Sequence, residues 1–175
     1  MKKGFKKMRT RYWYGKSIRS PQKALAAFFD FVDLESAQTY LADIITHAEN
    51  GQQYQSDNAA QSMMKYYALQ SLLASCHNMI HSKAWQQQFD NLLLSGMEAE
   101  AAKNLKDATM GTLNATFELY PLKEWRYNLI DVLNYALSNY SDRMELNLTA
   151  IYIQLKSLLE AAAFINNCCK TSKPD

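Results

Sequence analysis

Apolar residues recur along this chain in alternating steps of three and four, and glycine and proline seldom interrupt them. Leu148, Tyr152, Leu155, Leu159 and Ala162 form one such line, with Ile151, Leu158 and Ile165 beside it. That spacing matches the 3.6-residue turn of an α-helix and puts one broad apolar stripe on a single face. Tyr66, Leu69, Leu73, Cys76 and Ile80 repeat the pattern, widened by Met63, Leu72 and Met79. Leu122, Trp125, Leu129, Val132, Ala136 and Tyr140 repeat it again. Leu25, Phe28, Phe29 and Val32 mark an early helix. Leu34, Ala37, Leu41, Ile44 and Ala48 mark the next, and Trp85, Phe89, Leu92 and Leu93 a shorter one.

Residues 97–119 are helical by propensity, being rich in Ala, Glu, Lys and Leu. Their face is weaker: Ala102, Leu105, Thr109, Thr112, Thr116 and Leu119. Ala101, Ala108, Gly111 and Ala115 would let a neighbouring helix approach closely, and Gly111 allows a kink. No segment sustains the period-two alternation of a half-buried strand.

The boundaries carry helix punctuation. Ser20-Pro21 starts a helix, because Ser caps free amides and Pro tolerates the first helical position. Asp33, Asp57, Ser82 and Ser141-Asp142 are further candidate starts. Asn50-Gly51 and Ser95-Gly96 are stops, and Tyr120-Pro121 forces a break. The expected fold is all-α: an antiparallel helical bundle of about six to seven helices with a basic N-terminal arm. Four long helices, near 57–82, 97–119, 121–140 and 142–168, are expected to form an up-down core, and the other helices to cover its ends or sides. Residues 1–20 form the arm, 21–170 the bundle, and 171–175 a frayed tail.

Charge divides the chain as sharply as periodicity does. Nine of the 19 basic residues lie within residues 1–23, which contain no acid; the other 10 face all 17 acids. The arm therefore carries about +9 and the body about −7, although the whole is +2. The arm has no periodic apolar face and is expected to be flexible until bound. Lys2, Lys3, Lys6, Lys7, Arg9, Arg11, Lys16 and Arg19 can neutralise phosphates, and Tyr12, Trp13 and Tyr14 can stack on unpaired bases. RNA or single-stranded DNA, alone or in a larger ribonucleoprotein assembly, is the expected partner. The arm could also dock on an acidic protein surface, including a second copy of the chain, or on an anionic membrane.

His77 and His81 stand four residues apart on one helical face, a spacing that can serve a metal. A third ligand would have to come from His47, Cys76 or Asp90, and no Glu follows His77 as the metalloprotease motif requires. They are weak candidates, and His77 reads better as a boundary residue bonded to a neighbouring carbonyl or carboxylate. No metal or cofactor is expected. Cys76 reads as core, and Cys168-Cys169 sit at a helix C-terminus, which does not activate a thiol.

No Gly-rich phosphate loop or nucleophile elbow occurs, and neither Arg126 nor Arg143 has a His close behind it as in small all-α ribonucleases. The expectation is therefore a non-enzymatic accessory or binding subunit. The alternative is a protein–protein adaptor or inhibitory partner that self-associates through the bundle. Three cysteines, no secretory apolar run (24–29 is short and Asp30 ends it) and no bilayer-length apolar stretch suggest a cytoplasmic chain that is not an integral membrane protein.

Overall fold

The protein is described here by a computed structural model. It describes residues 10–11, 17–18, 20–51, 53–55, 59–138 and 144–171. Among these, the elements are β1 (Thr10–Arg11), β2 (Ser17–Ile18), α1 (Pro21–Phe31), α2 (Leu34–Asn50), α3 (Ala59–Ile80), α4 (Lys83–Gly96), α5 (Ala99–Leu119), α6 (Leu122–Leu137) and α7 (Leu148–Thr171). The fold is a helical bundle.

The predicted caps act where their chemistry suits. Ser20 accepts from the Lys23 amide, and Pro21 is the first helical residue. The Asp33 carboxylate accepts from the Ser36 amide and hydroxyl, both at 2.8 Å, so α1 and α2 are separate helices. Those bonds hold the Asp33 carboxyl below its ordinary range. Gly51 takes φ 62°, the left-handed conformation that closes α2. Ser82 accepts from the Trp85 amide and separates α3 from α4. Asp57, Ser141 and Asp142 lie outside the described residues. The last helix starts at Leu148 rather than near residue 142, because the Asn147 side chain caps it by accepting from the Ala150 amide at 3.0 Å. At the other end α7 reaches Thr171, and Lys170 pairs with Asp30 of α1 at 3.5 Å.

The expected up-down order of four long helices needs correction. α2 does not cover the core; it packs against both α6 and α7. α1 lies on α3 and α7, α3 on α6, and α5 on α7, so neighbours in space are mostly not neighbours in sequence. The reason is visible in α2: Ala37, Tyr40, Leu41, Ile44, Ile45 and Ala48 are all buried, a stripe too wide for a helix with one partner. The chain after α2 is tied down as well, since the Tyr54 amide donates to the Ala136 carbonyl at 2.6 Å.

α5 departs from expectation on both faces. Ala101, Ala108, Gly111 and Ala115 point to solvent, so they mediate no close helix approach, and the helix runs unbroken through Gly111. Leu113, outside the predicted stripe, is fully buried, whereas Leu119 is exposed. Thr109 and Thr116 are buried because each hydroxyl donates to the carbonyl four residues back, Leu105 and Thr112.

Trp125 is completely enclosed, and its indole N–H donates to the Thr116 carbonyl at 2.7 Å. Gln154 of α7 donates to the Thr116 hydroxyl at 3.0 Å, so α5, α6 and α7 meet at one hydrogen-bonded node. Leu148–Lys170 is long and apolar enough to cross a membrane, which amends the expectation that no such stretch exists. Its apolar residues Ile151, Leu155, Leu158, Leu159, Ala162 and Ile165 are buried in the bundle core.

Candidate functional site: a histidine–arginine cluster

Of the predicted arm site, Lys2, Lys3, Lys6, Lys7, Arg9, Tyr12, Trp13, Tyr14, Lys16 and Arg19 lie outside the described residues. Arg11 enters through its backbone alone. Thr10 pairs with Ile18 and Arg11 with Ser17 in a two-residue antiparallel ladder. β1 lies against α3 and β2 against α1, so the ladder is seated on the bundle. Periodicity cannot announce this ladder, because two residues are too few to show alternation.

A second polar site lies where α3 meets α6. Tyr66, Gln70 and His77 fall on one stripe of α3 at helical spacing, and His81 follows in the turn that leaves the helix. Arg126 projects from the first turns of α6 and acts electrostatically on both Tyr66 and His77. The His77 and His81 rings meet edge to face at 4.5 Å between centroids, and Phe117 of α5 packs on His77 at 5.0 Å. His77 is half-buried and His81 exposed. Burial pulls the His77 imidazole below its ordinary range, and the nearby His81 and Arg126 push the same way. Tyr66 is buried, its hydroxyl accepts from Gln70, and burial raises its pKa.

Arg126 is the unusual member. Its Nε is buried and has no hydrogen-bond partner. No carboxylate among the described residues forms an ion pair with it; Asp131, one turn further along α6, acts on Tyr66 instead. A buried charged donor without a partner costs about 1–3 kcal/mol or more, so native proteins seldom retain one without a use.

The metal reading finds no third ligand. Among the described residues no three His, Cys, Asp or Glu side chains gather as a metal-holding group. His47 Nδ1 donates to the Asp43 carbonyl and the ring packs on Tyr54, Asp90 pairs with Lys106 at 2.7 Å, and Cys76 is fully buried with its thiol pushed up to about 12. The expected carbonyl or carboxylate partner of His77 is also absent among the described residues; the rings of His81 and Phe117 pack on it instead. Cys168 and Cys169 are half-buried thiols whose pKa values burial raises.

Sequence reasoning paired arginines with histidines only by proximity along the chain, and so missed Arg126. One signal was present: Arg126 follows Trp125, a seam residue, which puts a cation at the edge of a buried face. Compared with known protein families, curated proteins and solved structures, the chain matches none.

Proposed function

We propose that the chain is a non-enzymatic helical binding module of a nucleic-acid-containing complex, engaging RNA or single-stranded DNA through residues 1–20. The observation that carries this reading is the charge segregation: nine cations and no acid within residues 1–23, with Phe5, Tyr12, Trp13 and Tyr14 among them. Cations release counterions from phosphates and aromatic rings stack on bases, and the two act together on unpaired strands. The β1–β2 ladder supports the reading by giving the arm two attachment points on α1 and α3.

The test is a salt titration of binding to an unstructured RNA, comparing the native chain with a full-length variant carrying alanine at Arg9, Arg11, Lys16 and Arg19. Loss of several phosphate contacts should lower the slope of log affinity against log salt by about 0.7 per contact removed. Equal affinities and slopes would overturn the proposal. A second reading, an adaptor or inhibitory partner that self-associates, draws on Tyr67 and Tyr127, which are 47% and 58% exposed on the adjoining helices α3 and α6. Exposed tyrosines of this kind are enriched at interfaces. A solution mass above that of one chain, abolished by Tyr127→Glu, would favour it.

A further inference from the structure

We infer that the cleft between the α1–α2 elbow and the first turns of α3 binds a free amino acid with an apolar side chain, its carboxylate on Lys65 and its ammonium on Asp33. The cleft belongs to the bundle, so the inference does not depend on the arm binding nucleic acid. Three observations carry it. The first is the cavity, which holds about 570 Å3 and joins three elements in one lining. Phe31 and Val32 come from the end of α1, Asp33 and Ser36 from the start of α2, and Met64 and Lys65 from α3. That volume falls within the roughly 300–1,000 Å3 of small-ligand clefts. The second is that its two charges have opposite signs and do not close on each other: among the described residues no ion pair joins Asp33 to Lys65. The third is that the walls beside these charges are apolar, with Phe31 and Val32 half-buried and Met64 37% exposed.

Each charge is held to its own wall. The Ser36 amide and hydroxyl both donate to the Asp33 carboxylate at 2.8 Å. The Lys65 ammonium stands over the Tyr40 ring, 4.6 Å from its centroid, and that ring is fixed because its hydroxyl donates to the Ser62 carbonyl at 3.2 Å. Both groups can still serve a ligand, since a carboxylate has about four acceptor sites and an ammonium three donors. A ligand with one charge would satisfy one wall and bring a like charge to the other. A zwitterion satisfies both, and an α-amino acid carries its two charges on one carbon with the side chain projecting from the same atom. An apolar side chain then covers Val32 and Met64, whose unbranched thioether adapts to differing shapes.

The experiment is an NMR titration of the full-length chain with L-leucine, following backbone amides and methionine methyls. In parallel the chain is titrated with N-acetyl-L-leucine, L-leucinamide and L-serine, which lack the ammonium, the carboxylate and the apolar side chain respectively. The expected result is saturable perturbation of Asp33, Ser36, Met64 and Lys65 by leucine, with each of the other three binding about tenfold more weakly or worse. Lys65→Met keeps the stem and removes the charge, and should weaken leucine binding by about tenfold or more. Asp33→Ser keeps an oxygen to cap α2 while removing the carboxylate, and should weaken it by a similar factor with the native backbone spectrum retained. The variant with alanine at Arg9, Arg11, Lys16 and Arg19 should bind leucine unchanged, which separates this site from the arm. Shifts that fail to saturate, that fall elsewhere, or that persist undiminished in Lys65→Met and Asp33→Ser would overturn the proposal, as would a capped leucine binding as tightly as the zwitterion. Should either variant misfold, the ligand series on the native chain decides.

Discussion

Trp125 and Arg126 are consecutive residues of α6 with opposite fates. Trp125 is enclosed, and its one polar atom is bonded to the Thr116 carbonyl, which belongs to a node completed by Gln154. Arg126 is partly enclosed, and its buried Nε is bonded to nothing. Adjacent positions of one helix thus hold a bonded polar atom and an unbonded one. The first kind fixes how α5, α6 and α7 pack; the second is a desolvated donor that contributes no bond to the fold.

The widest gap should appear in stability. Trp125→Ala removes the largest enclosed side chain and orphans the Thr116 carbonyl, and should cost about 3–5 kcal/mol in urea unfolding. Arg126→Met keeps the aliphatic stem and removes the unpartnered donor, and should leave stability unchanged or slightly raised. If Arg126→Met cost as much as Trp125→Ala, the contrast between the two residues would fail.

Thr116→Val tests the node at nearly constant volume. It deletes the hydroxyl that accepts from Gln154 and donates to Thr112, and should cost about 1–2 kcal/mol by thermal or urea unfolding. A neutral result would mean that the node is incidental to packing.

How much of this was legible beforehand follows from what each feature depends on. Helix positions depend on local spacing and caps, so Ser20, Asp33, Gly51 and Ser82 marked boundaries that the structure has. The partners of each helix depend on how many apolar faces it has, and the α2 stripe was read as ordinary when it serves two neighbours. The face of α5 was misjudged because Thr109 and Thr116 hide their hydroxyls within the helix, while the small residues that suggested packing point to solvent. Arg126 and His77 are 49 positions apart, and only the α3–α6 packing brings them together.

α5 offers a smaller test of the same distinction. A Cβ at Gly111 would meet nothing within 4 Å, and the residue is exposed in an unbroken helix. Gly111→Ala should therefore raise stability by about 0.5–1 kcal/mol, seen as a higher urea midpoint with an unchanged slope. A loss of stability would show that the outward face of α5 has a packing role after all.

The smallest effect is a pH dependence, and its sign separates the two regions most finely. Nothing in the Trp125 node titrates, so its contribution is constant with pH. His77 titrates below its unfolded value of about 6.5. Between the two values the unfolded chain holds more protons than the folded one, so stability rises with pH across that window. The His77 contribution is fully present above about pH 6.5 and is lost as pH falls through the depressed native value. Unfolding free energies measured from pH 8 down to pH 5 should fall more steeply for the native chain than for His77→Gln, which cannot charge. Parallel curves for the two proteins would show that folding does not depress the His77 pKa, and that its burial costs the charged imidazole nothing.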